Sequence, residues 1–113
     1  MIISERSVDS VVVLDVTGGL KLGDGVGELR GRVHGLLQEG HKRLLLNVAA
    51  VPSVDSSGLG ELTQVYVAAA RQGGSLKLVK APKRLRDLLV ITKLVSVFEI
   101  FDDEVAAVAS FER

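Results

Sequence analysis

The stretch Val54-Asp55-Ser56-Ser57-Gly58-Leu59-Gly60 constrains the fold more than any other part of the chain. Before it, Leu44-Leu45-Leu46-Asn47-Val48 is a dense apolar run that reads as a strand buried on both faces. After it, Leu59, Leu62, Tyr66, Ala69 and Ala70 recur at helical spacing. The stretch is a strand-to-helix connection. Small hydroxyl residues stand where a helix needs acceptors for its free N–H groups. Gly58 and Gly60 each cost a helix about 1 kcal/mol relative to alanine, so two in one first turn need a reason. Close packing of the helix start on the sheet is one. The other is that absent side chains leave the hydroxyls and N–H groups open to a partner or phosphate.

The rest of the chain alternates in the same way. Ile2 to Ser7 is extended, Val8-Asp9-Ser10 has turn composition, and Val11 to Thr17 is a β-branched strand, which together predict a hairpin. Val26, Leu29, Val33, Leu36 and Leu37 form the stripe of a helix from Val26 to Glu39, closed by Gly40. A strand over Lys42–Val48 follows, then a helix over Ser57–Gln72 and a strand over Ser75–Val79. Pro82 opens a short helix with Leu85, Leu88 and Leu89 inward. Val97 to Phe101 alternates as an edge strand, and Asp102-Asp103 caps a last helix whose Val105, Val108, Ala109 and Phe111 fold back on the sheet. The order β-β-α-β-α-β-α-β-α predicts an α/β fold. It has a small, mostly parallel sheet of about five strands, opened by a β-hairpin, and about four helices. The chain of 113 residues, 1–113, is expected to form one domain.

Charge and composition remove several function classes. Fourteen basic residues balance fourteen acidic ones, and aromatics are 4%, so both the electrostatic footprint and the stacking platforms of a nucleic-acid binder are missing. Without cysteine there is no thiolate metal site or disulfide framework. Residues Met1–Arg6 lack the basic region and apolar core of a signal peptide, and no apolar run approaches the length of a membrane span. A cytoplasmic location without membrane insertion is expected.

The catalytic motifs fare no better. A serine nucleophile needs a base such as histidine within hydrogen-bond reach. His34 lies on the first helix, and His41 precedes the central strand, at the sheet end opposite Ser56 and Ser57. Gly25-Val26-Gly27 lacks the third glycine of a nucleotide fingerprint, because position 30 is Arg30. The Asp102-Asp103-Glu104 cluster is the ordinary acidic complement to a helix start. Lys80, Lys83, Arg84 and Arg86 form a solvated basic face or, on a second reading, a dock for an acidic partner. No enzyme activity, cofactor or metal is expected.

Asp55-Ser56-Ser57-Gly58-Leu59-Gly60, between a strand and a helix in a chain of this length and order, resembles the signature of the STAS-domain anti-sigma-factor antagonists. These are small bacterial proteins switched by serine phosphorylation. The resemblance spans about residues 8 to 111 and implies a small sheet with helices mainly on one side and the serine loop exposed. It implies that Ser56 is the phosphate acceptor; Ser57 is then the better candidate for the helix cap, and Asp55 orients the Ser56 hydroxyl, hydrogen-bonds the loop or has a plain turn role. Asp55, Ser57, Gly58, Leu59, Gly60 and Lys21 are then expected to meet the partner. That partner would be an anti-sigma factor that is itself a serine kinase, and a serine phosphatase would reset the switch. One departure stands out. Where many such proteins carry Gly-x-Leu-Asp after the second strand, this chain has Gly18-Gly19-Leu20-Lys21, a reversal of charge. Family members also serve as scaffolds in stress-signalling complexes and as accessory parts of membrane transporters, which is the alternative reading.

Overall fold

The computed structural model describes residues 1–112. Its strands are β1 (Ile2–Val8), β2 (Val11–Thr17), β3 (Arg43–Ala50), β4 (Ser75–Val79) and β5 (Ile100–Phe101). Its α-helices are α1 (Glu28–Gln38), α2 (Ser56–Arg71), α3 (Lys83–Ile91) and α4 (Glu104–Ser110). The sheet order is β1-β2-β3-β4-β5, antiparallel only between β1 and β2. The α/β fold with a hairpin-opened, mostly parallel sheet is therefore as the alternation predicts. The hairpin turns through Asp9 and Ser10, with Asp9 at φ 54°, the left-handed geometry of a tight two-residue turn.

Period-two alternation sends each strand's side chains to opposite faces. Val12, Leu14 and Val16 of β2, Leu44, Leu46 and Val48 of β3, and Leu76 and Leu78 of β4 pack on one face with the stripes of α1, α2 and α3. Val11, Val13, Leu45 and Val79 point the other way, onto Ala107, Val108 and Phe111 after the chain has crossed to that side. Leu44, Leu45 and Leu46 are all fully buried because each faces a covered side. The helices thus occupy both faces, three to one.

Several boundaries shift, each for a local reason. α1 starts at Glu28 rather than Val26, since Gly27 sits at φ 99°, outside helical space. It ends as expected at Gly40: the His41 and Gly40 N–H groups donate back to the Leu36 and Leu37 carbonyls, closing a Schellman turn. β5 is two residues long, not the five of Val97–Phe101. Phe98 turns inward and meets Tyr66 edge-on, ring centroids 5.1 Å apart, so the alternation there reflects loop burial instead of a strand. On α4, Val108 and Phe111 are buried as expected, but Val105 and Ala109 face outward, and Ala107 and Ser110 take the inner positions.

Candidate functional site

β2 and β3 are parallel, so the loops that follow them emerge at the same end of the sheet, where open α/β sheets place their binding sites. A register shift between Asp15 and Thr17 lets β3 run on to Ala50. From there the two loops are stitched together. The Gly18 N–H donates to the Ala50 carbonyl (3.0 Å), Leu20 N–H to Ser53 (2.9 Å) and Asp55 N–H to Leu20 (3.3 Å). Segments 32 to 35 residues apart in sequence thereby form one surface.

Asp55 is the residue that locks them. It is the N-cap of α2, and its Oδ1 accepts from the Gly58 N–H (2.9 Å), while Oδ2 accepts from the Leu22 N–H (3.0 Å). Those donors, Gly58 first and Leu22 next, favour the ionised form and hold the Asp55 carboxyl below the usual carboxylate range. Of the roles expected for Asp55, the geometry gives the loop tie. The expected cap, Ser57, is corrected: an aspartate with extended backbone one residue before the helix supplies a stronger, charged acceptor. Ser56 does not precede the helix but is its first residue, exposed to solvent, and Ser57 follows half-buried.

The two glycines divide the roles foreseen for them. A Cβ on Gly58 would stand 1.9 Å from the Leu20 carbonyl oxygen, so this glycine exists for the close approach of helix and loop. Nothing lies within 4 Å of a Cβ on Gly60, which faces solvent. Gly58 and Leu59, expected to meet the partner, are both buried here: Leu59 packs in the core, and Gly58 lies against the Leu20 backbone. Ser56, Gly60 and Lys21 are exposed at this end of the molecule, with Ser57 and Asp55 partly so.

Two residues escaped the sequence reading. Leu22 is 76% exposed, directly after Lys21, with its backbone pinned by Asp55. An apolar residue in a Gly-rich loop gave no periodic signal. Glu61 is 3% exposed, and its carboxylate accepts from the Gly27 (2.5 Å) and Arg30 (3.3 Å) N–H groups. It caps α1 from α2, where Gly27 has no side chain for the purpose. The signal was present in an acid beside the apolar stripe of α2, but its target could be named only in three dimensions.

The remaining charged groups are accounted for by structure. Lys83 pairs with Asp87 (2.7 Å) and Arg86 with Asp102, which halves the basic face around Lys80 and Arg84. Asp103 caps α4, and Glu104 joins Arg6 (2.6 Å), which also holds Asp15 (2.5 Å). The guanidinium keeps the carboxyls of Asp15 and Glu104 below their usual range. His34 on α1 and His41 in the turn before β3 are both exposed. Among the described residues no cluster of three His, Cys, Asp or Glu side chains could hold a metal, and no helix is long and apolar enough to cross a membrane.

A relative from Thermotoga neapolitana, named as a candidate anti-sigma factor antagonist, is 32% identical over 66 residues, which is 58% of this chain and 58% of that protein. This chain is thus matched over little more than half the length of that curated relative. Among solved structures, a candidate anti-sigma factor antagonist from Thermotoga maritima has the same fold at TM-score 0.90 and 24% identity, over 98% of this chain and 95% of that one. The Bacillus cell fate determinant SpoIIAA in its phosphorylated form follows at TM-score 0.74 and 18% identity, over 96% and 98%. A sulfate transporter family protein from Wolinella succinogenes shares the fold at TM-score 0.75 and 21% identity, over 95% and 88%. The profile of the STAS domain matches residues 3–107, and with the hairpin-opened sheet and the Asp55-clamped serine turn it identifies this chain as a member of the STAS domain family.

Proposed function

We propose that this chain, acting as one domain over residues 1–113, is an anti-sigma-factor antagonist switched by phosphorylation of Ser56. The observation that carries the reading is the position of Ser56. It is the exposed first residue of α2, beside a carboxylate clamp that fixes the turn without using the serine. Unphosphorylated, the surface around Ser56, Ser57, Gly60, Lys21 and Leu22 docks an anti-sigma factor and frees a sigma factor for transcription in the cytoplasm. The anti-sigma factor doubles as the serine kinase, and a phosphatase restores the docking form. This chain turns over nothing itself and needs no cofactor.

A phosphate adds about −1.5 to −2 charges at pH 7. The α2 N-terminus already holds the Asp55 carboxylate, so the dianion arrives beside an existing negative charge and stays in water. Docking would have to desolvate both. Burying an unpaired charge in an interface costs about 2–5 kcal/mol, which at 1.4 kcal/mol per decade is roughly 30-fold to several thousandfold in affinity. That range suffices for an on-off device. The relatives named for anti-sigma factor antagonism, and a fold neighbour solved with its phosphate, support the reading. Incubation with the cognate kinase and ATP should add one phosphate, mapped to Ser56. Label retained by Ser56→Ala overturns the assignment.

The likeness to a sulfate transporter family protein favours a second reading, an accessory or scaffold role without a switch. Binding to an anti-sigma factor that is unaffected by Ser56→Asp, together with co-purification with a membrane transporter, would select it.

A further inference from the structure

Among the described residues, Arg6, Arg32, Arg43 and Arg86 each pair with a carboxylate, whereas Arg30, Arg71 and Arg84 have none within ion-pair distance. Two of those three border one groove. It lies between α1 and α2, holds about 360 Å³, and is bounded by Arg30, His34, Gln64, Val67 and Arg71, with no carboxylate in its lining. The Arg30 guanidinium reaches only the neutral Gln64 Oε1, at 3.4 Å. Val67 is an exposed valine on the floor, with Ala68 beside it.

We infer that this groove seats an acidic amphipathic helix of a partner protein. α1 and α2 leave the carboxyl ends of parallel strands and run in the same direction, with the groove between them. From Thr63 to Arg71 it extends for about 12 Å at 1.5 Å per residue, about two turns of an incoming helix. An apolar floor with a cationic rim at each end fits an apolar stripe flanked by acidic side chains. Arginine in particular forms bidentate bonds with carboxylates, and here neither guanidinium is already engaged by one. The stripe of α2 that lines the groove starts at Thr63, two turns from Ser56 on the same helix, so one partner can cover both. The inference does not depend on Ser56 being a phosphate acceptor.

The test uses the ¹⁵N-labelled full chain and a synthetic amphipathic peptide of about five helical turns, its apolar stripe flanked by glutamates. Amide shifts should concentrate in Thr63–Arg71 and Arg30–His34. The double variant Arg30→Glu/Arg71→Glu should bind at least tenfold more weakly with an unchanged melting temperature. If charge reversal unfolds the chain, Arg30→Gln/Arg71→Gln takes its place. A scrambled peptide of equal composition, and one with lysine for glutamate, should not bind. Shifts elsewhere, no binding, equal binding of the scrambled peptide or by the double variant, or preference for a single-stranded oligonucleotide of equal charge would each overturn the proposal. Ser56→Ala should leave peptide binding unchanged, which separates this surface from the switch.

Discussion

Gly58 and Leu20 approach so closely that a methyl group on the glycine would lie 1.9 Å from the Leu20 carbonyl oxygen. Gly58→Ala should therefore force the loop away from α2 and cost about 1–3 kcal/mol, lowering Tm by several degrees. Gly60→Ala is the converse. With open space at that position and a better helix former in place, it should raise stability by up to about 1 kcal/mol. Thermal melts of the two variants side by side should move in opposite directions; equal losses would mean that both glycines serve helix packing.

Asp55 bridges Gly58 and Leu22 as an anion. Its folded carboxyl titrates below the ordinary value, so its contribution is present above the unfolded value, about pH 4, and is lost as pH falls through the lower folded value. Asp55→Asn should melt below wild type at neutral pH, and the gap should narrow only under acid. A gap that instead widened on acidification would remove the clamp.

Glu61 should matter to α1 although it lies on α2. Glu61→Ala leaves the Gly27 and Arg30 N–H groups without their acceptor and should cost about 1–3 kcal/mol. Glu61→Gln, which retains an acceptor oxygen, should lose less. Hydrogen exchange at the first turn of α1 should accelerate in the alanine variant while β3 stays protected.

Ser56→Asp separates switching from misfolding. The residue is exposed, and the helix N-terminus and Asp55 act on its charge in opposite senses, so stability should stay within about 1 kcal/mol of wild type. Binding to the anti-sigma partner should nevertheless fall steeply. Titration calorimetry beside a melt decides this, and a binding loss no larger than the loss of fold would reduce the serine to a structural residue.

Leu22 offers the uncharged counterpart. Leu22→Ala should leave the melt within about 0.5 kcal/mol, as exposed substitutions do. If the leucine is covered on docking, about 1.5–3 kcal/mol of burial is at stake, so affinity should fall by tenfold or more. Unchanged affinity would place the interface away from this loop.

What the sequence determined by itself is what depends on near neighbours. The periods of two and about 3.6, with Gly40 and Pro82 as punctuation, yielded the element order and the mixed sheet, because each element must bury its own apolar stripe. Asp55–Gly60 sufficed to locate the strand-to-helix turn, while the choice of Ser56 within it rests on the family resemblance. Only the tertiary structure decided which groups meet across that turn. Asp55 caps α2 through the nearby Gly58 N–H, but it also ties the two loops together because Leu22, distant in sequence, supplies the second donor. Gly58 proved a packing glycine because the Leu20 backbone lies against it, and Glu61 a cap for another helix, since Gly27 and Arg30 are brought to it by the packing of α1 on α2. α4 lies on the opposite face because Val11, Val13, Leu45 and Val79 needed cover there. The unpaired arginines of the α1–α2 groove belong to the same class of fact. A guanidinium's partner is set by distance in space, and no spacing along the chain encodes it.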